Sequence, residues 1–151
     1  MRQYRERLRV PVSWWLIPPL ATVSVWLAVQ HVYGPRVSIP LAAGVLLVCS
    51  VGLVGYGWAL VAVQPDGLVA GRARLPLWAV GEVRSLGADR AQAARGPDAD
   101  PRAFMLVRGY IGPMVCVAVE DPADPVPYWL VSTRHPDQLA AALSAARDAV
   151  A

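Results

Sequence analysis

The chain opens with two long apolar stretches, over residues 10–33 and 39–63, that contain no Asp, Glu, Lys or Arg. Each is longer than the roughly 20 residues that a helix needs to cross a bilayer. A short segment with one charged side chain, Arg36, separates them. This pattern predicts two transmembrane helices joined by a short loop, a membrane α-hairpin.

The pattern after residue 63 is that of a β-rich domain. An Asp66-Gly67 pair between apolar runs predicts a hairpin turn. We expect strands over 68–75, 78–85, 104–108, 114–120 and 128–133, and a short helical segment over 88–95. Pro136 begins a final helix, on which four residues recur at spacings of four, three and four, forming one apolar stripe. They are Leu139, Leu143, Ala146 and Val150.

These patterns together predict the fold class and the domains. We expect a membrane α-hairpin plus an α+β soluble domain, a mostly antiparallel β-sheet closed by a C-terminal helix. This order of elements resembles that of pleckstrin-homology-like domains. The predicted parts are a basic cytoplasmic N-terminus (1–9), the two-helix hairpin (10–63) and a cytoplasmic β-rich domain (64–151).

Charge indicates how the hairpin is oriented. Residues 1–63 carry five Arg and one Glu, a net charge of +4, whereas residues 64–151 carry nine Arg and ten acids, a net of −1. Arginines precede the first stretch and follow the second, so the positive-inside rule places both termini in the cytoplasm. The absence of Lys, together with many Ala, Val, Pro and Gly residues, is typical of a GC-rich bacterial genome, so the expected location is a bacterial inner membrane. The basic character belongs to the membrane half and does not favour nucleic-acid binding.

Within the membrane half, small features predict local structure. Pro18 and Pro19 are expected to kink the first helix. Ser38 and Pro40 suit the start of the second helix. Small residues of the second helix, including Gly44, Gly52 and Gly55, would serve packing inside the hairpin or, alternatively, docking of another membrane subunit.

Candidate chemistry is sparse. Cys49 and Cys116 are expected to be reduced thiols, and two Cys with two His at scattered positions do not form a metal-binding motif. Asp121 and Asp124 fit a solvated turn better than a cation site. We predict no catalytic residue, cofactor or metal, and the protein is expected not to be an enzyme.

Basic and aromatic residues near the predicted membrane surface or helix start are the remaining candidates for headgroup or partner contacts. The arginines would attract anionic lipids or simply set the topology. Trp129 and Trp78 are both expected in the core. The candidate contact residues are Arg5, Arg7, Arg9, Arg72, Arg74, Tyr128 and Arg134.

Several segments together resemble one actinobacterial family, known as domain of unknown function 3093. The longest runs from Asp121 to Arg134 and reads DPADPVPYWLVSTR; shorter ones are YRERL at the N-terminus, GRARLP at 71–76 and DPRAF at 100–104. The resemblance implies a two-span membrane protein and brings no activity, cofactor or catalytic residue.

The leading functional hypothesis is an integral membrane protein whose domain binds or stabilises a protein partner, either a membrane protein or a second copy. The alternative is a module that binds anionic lipid or a small ligand at the membrane surface. Membrane lipids are expected contacts in both.

Overall fold

A computed structural model describes residues 4–150. It divides into two compact units. The helical unit comprises Arg9–Trp58, and the β-rich domain comprises residues 4–8 together with 59–150. The sequence pattern predicts a domain beginning at residue 64. The structure instead includes residues from both sides of the hairpin in one domain.

The helical unit contains two long helices that are apolar enough to cross a membrane. A 3₁₀ turn over Val12–Leu16 leads into α1 (Ile17–Tyr33), and α2 spans Pro35–Gly57. Trp14 and Tyr56 stack with their ring centroids 6.2 Å apart. This contact joins the segment before α1 to the last turn of α2.

The prolines act differently from the expectation. Pro18 and Pro19 lie in the first turn of α1, where backbone N–H groups have no partner within the helix, so no kink is needed. The second helix begins at Pro35, because Gly34 adopts a φ of 69° that ends α1. Ser38 is consequently inside α2, and its hydroxyl donates to Gln30 Oε1 at 2.6 Å.

The second apolar stretch is not one element, which corrects the predicted span. Helix α2 ends at Gly57, and β2 occupies Leu60–Gln64. A strand buried on both faces is as uniformly apolar as a helix, so hydropathy alone cannot locate this change.

Three glycines of α2 do not pack closely inside the hairpin, whereas a Cβ added at the fourth, Gly57, would lie 3.0 Å from Val10. A Cβ added at Gly44, Gly52 or Gly55 would meet no heavy atom within 4 Å among the described residues. The predicted role of these three glycines in close packing of the two helices is therefore wrong.

The N-terminal sheet has the order β1-β2-β3-β4 and is antiparallel throughout. Its turns are tight: Pro65-Asp66 joins β2 to β3, as predicted, and Gly71-Arg72 joins β3 to β4. Gly71 has a φ of 65°, a conformation that favours glycine. The strands are β1 (Arg5–Arg7), β2, β3 (Gly67–Ala70) and β4 (Ala73–Pro76).

The C-terminal sheet has the order β5-β7-β8-β6. Its β6 and β8 are parallel, an exception to the otherwise antiparallel pairing. The short helix α3 (Ala88–Arg95) follows β5, matching the helical segment predicted there. The strands are β5 (Val80–Leu86), β6 (Phe104–Leu106), β7 (Met114–Val119) and β8 (Tyr128–Ser132).

Both sheets and the last helix share one hydrophobic core. Helix α4 (Pro136–Asp148) buries Leu139 and Leu143 completely, whereas Val150 lies past its end and is 60% exposed. The predicted stripe is thus confirmed for its first two members, and Ala146 packs against the core at its edge.

Truncation of this stripe should reveal how much α4 stabilises the domain. Leu143→Ala should lower the free energy of unfolding by about 2–5 kcal/mol, because it removes a buried side chain and leaves a cavity. Val150→Ala is the matched control and should cost less than about 0.5 kcal/mol. Urea-dependent proteolysis of the full-length protein in mild detergent measures both, and equal losses would contradict this packing.

Candidate functional site

Four of the predicted contact arginines come together on the N-terminal sheet. Cross-strand register places Arg5, Ala62, Val69 and Arg74 in one row, and so on one face. Arg7 lies on the same face as Arg5, two residues along β1, and Arg72 is in the β3–β4 turn. All four arginines are exposed. We call this surface the basic face.

The other predicted contacts lie elsewhere. Arg9 belongs to the helical unit. The Tyr128 hydroxyl accepts a hydrogen bond from the Asp100 backbone N–H at 2.9 Å, and its ring packs on a small second core. Arg134 follows β8, where it contacts Glu6 of the N-terminal strand. The structure therefore does not unite all seven residues in one site.

A cluster of polar side chains joins β1 to the end of β8. The hydroxyls of Tyr4 and Thr133 each donate to Glu6 Oε2 at 2.6 Å. The Arg134 backbone N–H donates to Glu6 Oε1 at 3.2 Å, and its guanidinium lies 3.5 Å from the same oxygen. Thr133 also accepts the His135 N–H at 3.1 Å, so it orders the turn before α4 rather than capping the helix directly.

The cluster holds its groups in fixed protonation states. Burial alone would raise the pKa of Glu6, but the hydrogen bonds from Thr133 and Tyr4, with Arg134, lower it below its usual value. Burial and the neighbouring Glu6 raise the pKa of the Tyr4 hydroxyl. Near neutral pH Glu6 is therefore a carboxylate and Tyr4 a neutral phenol, and neither is poised to exchange a proton.

A groove of about 830 Å³ runs along α4 next to this cluster. One wall is α4, which contributes four alanines. The opposite wall includes the β2–β3 hairpin and Leu77, and the Tyr4 ring reaches it as well. The lining residues are Tyr4, Val63, Gln64, Pro65, Leu77, Asp137, Gln138, Ala141, Ala142, Ala145, Ala146 and Val150.

Other candidates from the sequence fall into ordinary structural roles. Asp121 and Asp124 each accept a backbone N–H two residues ahead, which forms the expected polar turn. Trp129 is buried against Phe104, as predicted, but Trp78 is 65% exposed, so its predicted place in the core is wrong. Among residues 4–150, no three His, Cys, Asp or Glu side chains are grouped as metal ligands.

Two features of the site were missed in the sequence. Residues 4–8 alternate between Tyr4, Glu6 and Leu8 on the core side and Arg5 and Arg7 on the other, which is a strand pattern. The polar cluster joins Tyr4 and Glu6 to Thr133 and Arg134, 127 and 128 positions after Glu6. No local spacing in the sequence indicates that these two pairs meet.

Comparison with known proteins adds a family and no activity. The family model described as "Protein of unknown function (DUF3093)" matches residues 3–143, nearly the whole chain. The chain belongs to the DUF3093 family. No curated protein and no solved structure matches it. The DUF3093 assignment confirms the resemblance found in the sequence.

The polar cluster of this DUF3093 domain predicts a pH-dependent stability. Because the folded state lowers the pKa of Glu6, the carboxylate stabilises the fold above the usual value of 4.5, and this contribution disappears as the pH falls through the folded-state pKa. Glu6→Gln should cost about 1–2 kcal/mol at neutral pH and progressively less in acid. Unfolding of both proteins across this range measures the difference.

Glu82→Gln provides the matched control. Glu82 pairs with Arg84 at 3.1 Å, but both side chains are about two-thirds exposed, so its loss should cost less than about 1 kcal/mol. A Glu6→Gln variant that stays less stable by the same amount at every pH would contradict the role assigned to the carboxylate.

Proposed function

We propose that this protein is an integral membrane protein whose β-rich domain binds a protein partner, and that it acts by binding rather than by catalysis. The groove along α4 is the observation that carries the proposal. Its lining is mostly aliphatic, which suits an apolar segment of a partner protein.

The shape of the groove favours a helical segment as its occupant. It extends from Asp137 to Val150, along a helix of 13 residues that is about 20 Å long. Alanines 141 and 145 are exposed and four residues apart, so another helix can approach closely at this wall. An amphipathic helix laid in a groove is a common mode of peptide recognition.

The charge of the groove indicates one further property of the partner. Among the described residues that line the groove, Asp137 is the one acidic side chain, and none is basic. A basic residue at one end of the partner's apolar face would pair with it. The partner expected is therefore a protein with an apolar helical segment and a nearby Lys or Arg.

The polar cluster supports a role in binding rather than in catalysis. Glu6 accepts several hydrogen bonds that stabilise its charged form, and the raised pKa of Tyr4 keeps its proton in place. A general acid or base works best with a pKa near the operating pH. The cluster instead fixes Tyr4, which precedes β1, and the start of α4, and both line the groove.

The location of the protein is part of the proposal. We place α1 and α2 across a bacterial inner membrane with the β-rich domain in the cytoplasm. The support is the distribution of charge: Arg36 is the single charged side chain between the two apolar stretches, whereas arginines cluster outside them.

A pleckstrin-homology-like fold is proposed for the domain on architectural grounds. Two four-stranded sheets and a C-terminal helix around one core support it. The parallel β6–β8 pair is a difference that such an assignment has to accommodate. Fold alone does not determine function, so the binding proposal depends on the groove.

Filling the groove should abolish partner binding. Ala145→Trp adds an indole at an exposed groove position, and Asp137→Arg reverses the charge near the N-terminus of α4. We expect native mass spectrometry of the full-length protein, gently extracted from its own membrane, to show a stoichiometric protein adduct. Either substitution should remove at least about 90% of that adduct.

Ala149→Trp is the control, because Ala149 is exposed but does not line the groove. It should leave the adduct intact. Retention of the adduct by Ala145→Trp, or a wild type that carries no protein adduct beside its retained lipids, would overturn the proposal. An adduct with the mass of a second copy would identify the partner segment as part of this same chain.

A further inference from the structure

The basic face of the N-terminal sheet is not explained by the groove. Arg5 and Arg7 project from the face of β1 opposite to Glu6, because side chains alternate along a strand. Ala62 and Val69 lie in the same row as Arg5 and Arg74 and are buried outside the main core. This is expected for small side chains flanked by long arginine stems.

The balance of charge on this face is positive. Arg74 lies 3.6 Å from Asp66, in a pair whose side chains are about two-thirds exposed. Within residues 4–150, no carboxylate lies within 4 Å of Arg5, Arg7 or Arg72. Arg5, Arg7 and Arg72 are thus available to an external anion. Arg74 is less available, because it pairs with Asp66.

Chain connectivity puts these arginines near both ends of the helical unit. Arg7 is two residues from Arg9, where that unit begins, a span of at most about 7 Å. Arg72 follows Gly71, whose N–H donates at 2.7 Å to the carbonyl of Leu60, two residues after the unit ends at Trp58. If both helices span the bilayer, the first and last residues of the unit are at the same membrane surface.

We propose that the basic face binds the phosphates of anionic phospholipids at that surface. Guanidinium groups donate paired hydrogen bonds to phosphate oxygens, and three of them, two on β1 and one in the β3–β4 turn, can contact several headgroups. The proposal depends on the membrane anchorage argued above and is independent of the groove. It assigns Arg5, Arg7 and Arg72 to lipid, with Arg74 as a secondary contact.

The test compares lipid selection by matched variants of the full-length protein. Each is reconstituted in nanodiscs made of equal parts phosphatidylglycerol and phosphatidylcholine, released, and weighed with its retained lipids. The wild type should retain phosphatidylglycerol at least about threefold over phosphatidylcholine. The triple variant Arg5→Gln, Arg7→Gln and Arg72→Gln should lose that preference. Nanodiscs expose both leaflets, so a change in insertion direction does not affect the readout.

Two further variants test whether lipid selection depends on the position of the arginines and on their charge. A control triple, Arg84→Gln, Arg90→Gln and Arg102→Gln, removes the same charge from exposed arginines elsewhere on the domain and should keep the preference. The triple Lys variant of the basic face should retain most of it, because the positive charge remains.

Three results would overturn the proposal. They are a wild type without preference, equal losses in the two Gln triples, and a basic-face triple that selects lipid normally but loses a protein adduct. The last result would assign the face to an acidic protein. Because Ala145→Trp leaves the basic face unchanged, lipid selection can fail or succeed separately from partner binding through the groove.

Discussion

Strand β1 pairs with β2, and through this pairing the residues before the helical hairpin become part of the domain that follows it. Leu8 and Ala59, the last residues of the domain on either side of the hairpin, are joined by a backbone hydrogen bond of 3.0 Å. The chain therefore leaves the domain and returns to it at adjacent strands. Two covalent connections, rather than one, therefore join the domain to the helical unit.

The same short strand supplies residues to two separate surfaces. Tyr4, Glu6 and Leu8 face the interior, where they reach the core, the polar cluster and the wall of the groove. Arg5 and Arg7 face the opposite direction. Since β1 lies at the sheet edge with only three paired residues, the hydrogen bonds of Glu6 to Thr133 and Arg134 supply attachment that the ladder alone lacks.

Sequence patterns predict the elements that depend on neighbouring residues or on a uniformly apolar stretch. The two apolar helices, the hairpin turn at Pro65-Asp66 and the buried leucines of α4 follow from length, turn chemistry and helical spacing. The sequence pattern extends the second helix over Leu60 to Val63, which form a strand in the structure. A fully buried strand lacks the alternation of apolar and polar residues that would distinguish it from a helix. The sequence wrongly predicts Trp78 in the core, because hydrophobicity does not indicate which side of a short 3₁₀ turn faces the solvent.

The candidate sites were harder to predict because they depend on pairing between distant segments. Arg5 and Arg74 were both recognised as basic, but only the register across four strands puts them in one row. Glu6 had no special signal, since its partners lie more than 120 residues away. The groove likewise requires a β-hairpin, a helix and the N-terminal strand to be placed side by side.

The position of β1 also affects the order in which the protein can be made. Residues 4–8 leave the ribosome well before β2, with the whole stretch Arg9–Trp58 synthesised between them. Through that interval the first strand has no partner for its hydrogen bonds. The N-terminal sheet can close only after both apolar helices have been synthesised, and α4, which completes the core, follows the strands of both sheets. Folding of the domain must therefore follow synthesis of the hairpin, although its first strand precedes the hairpin in the chain.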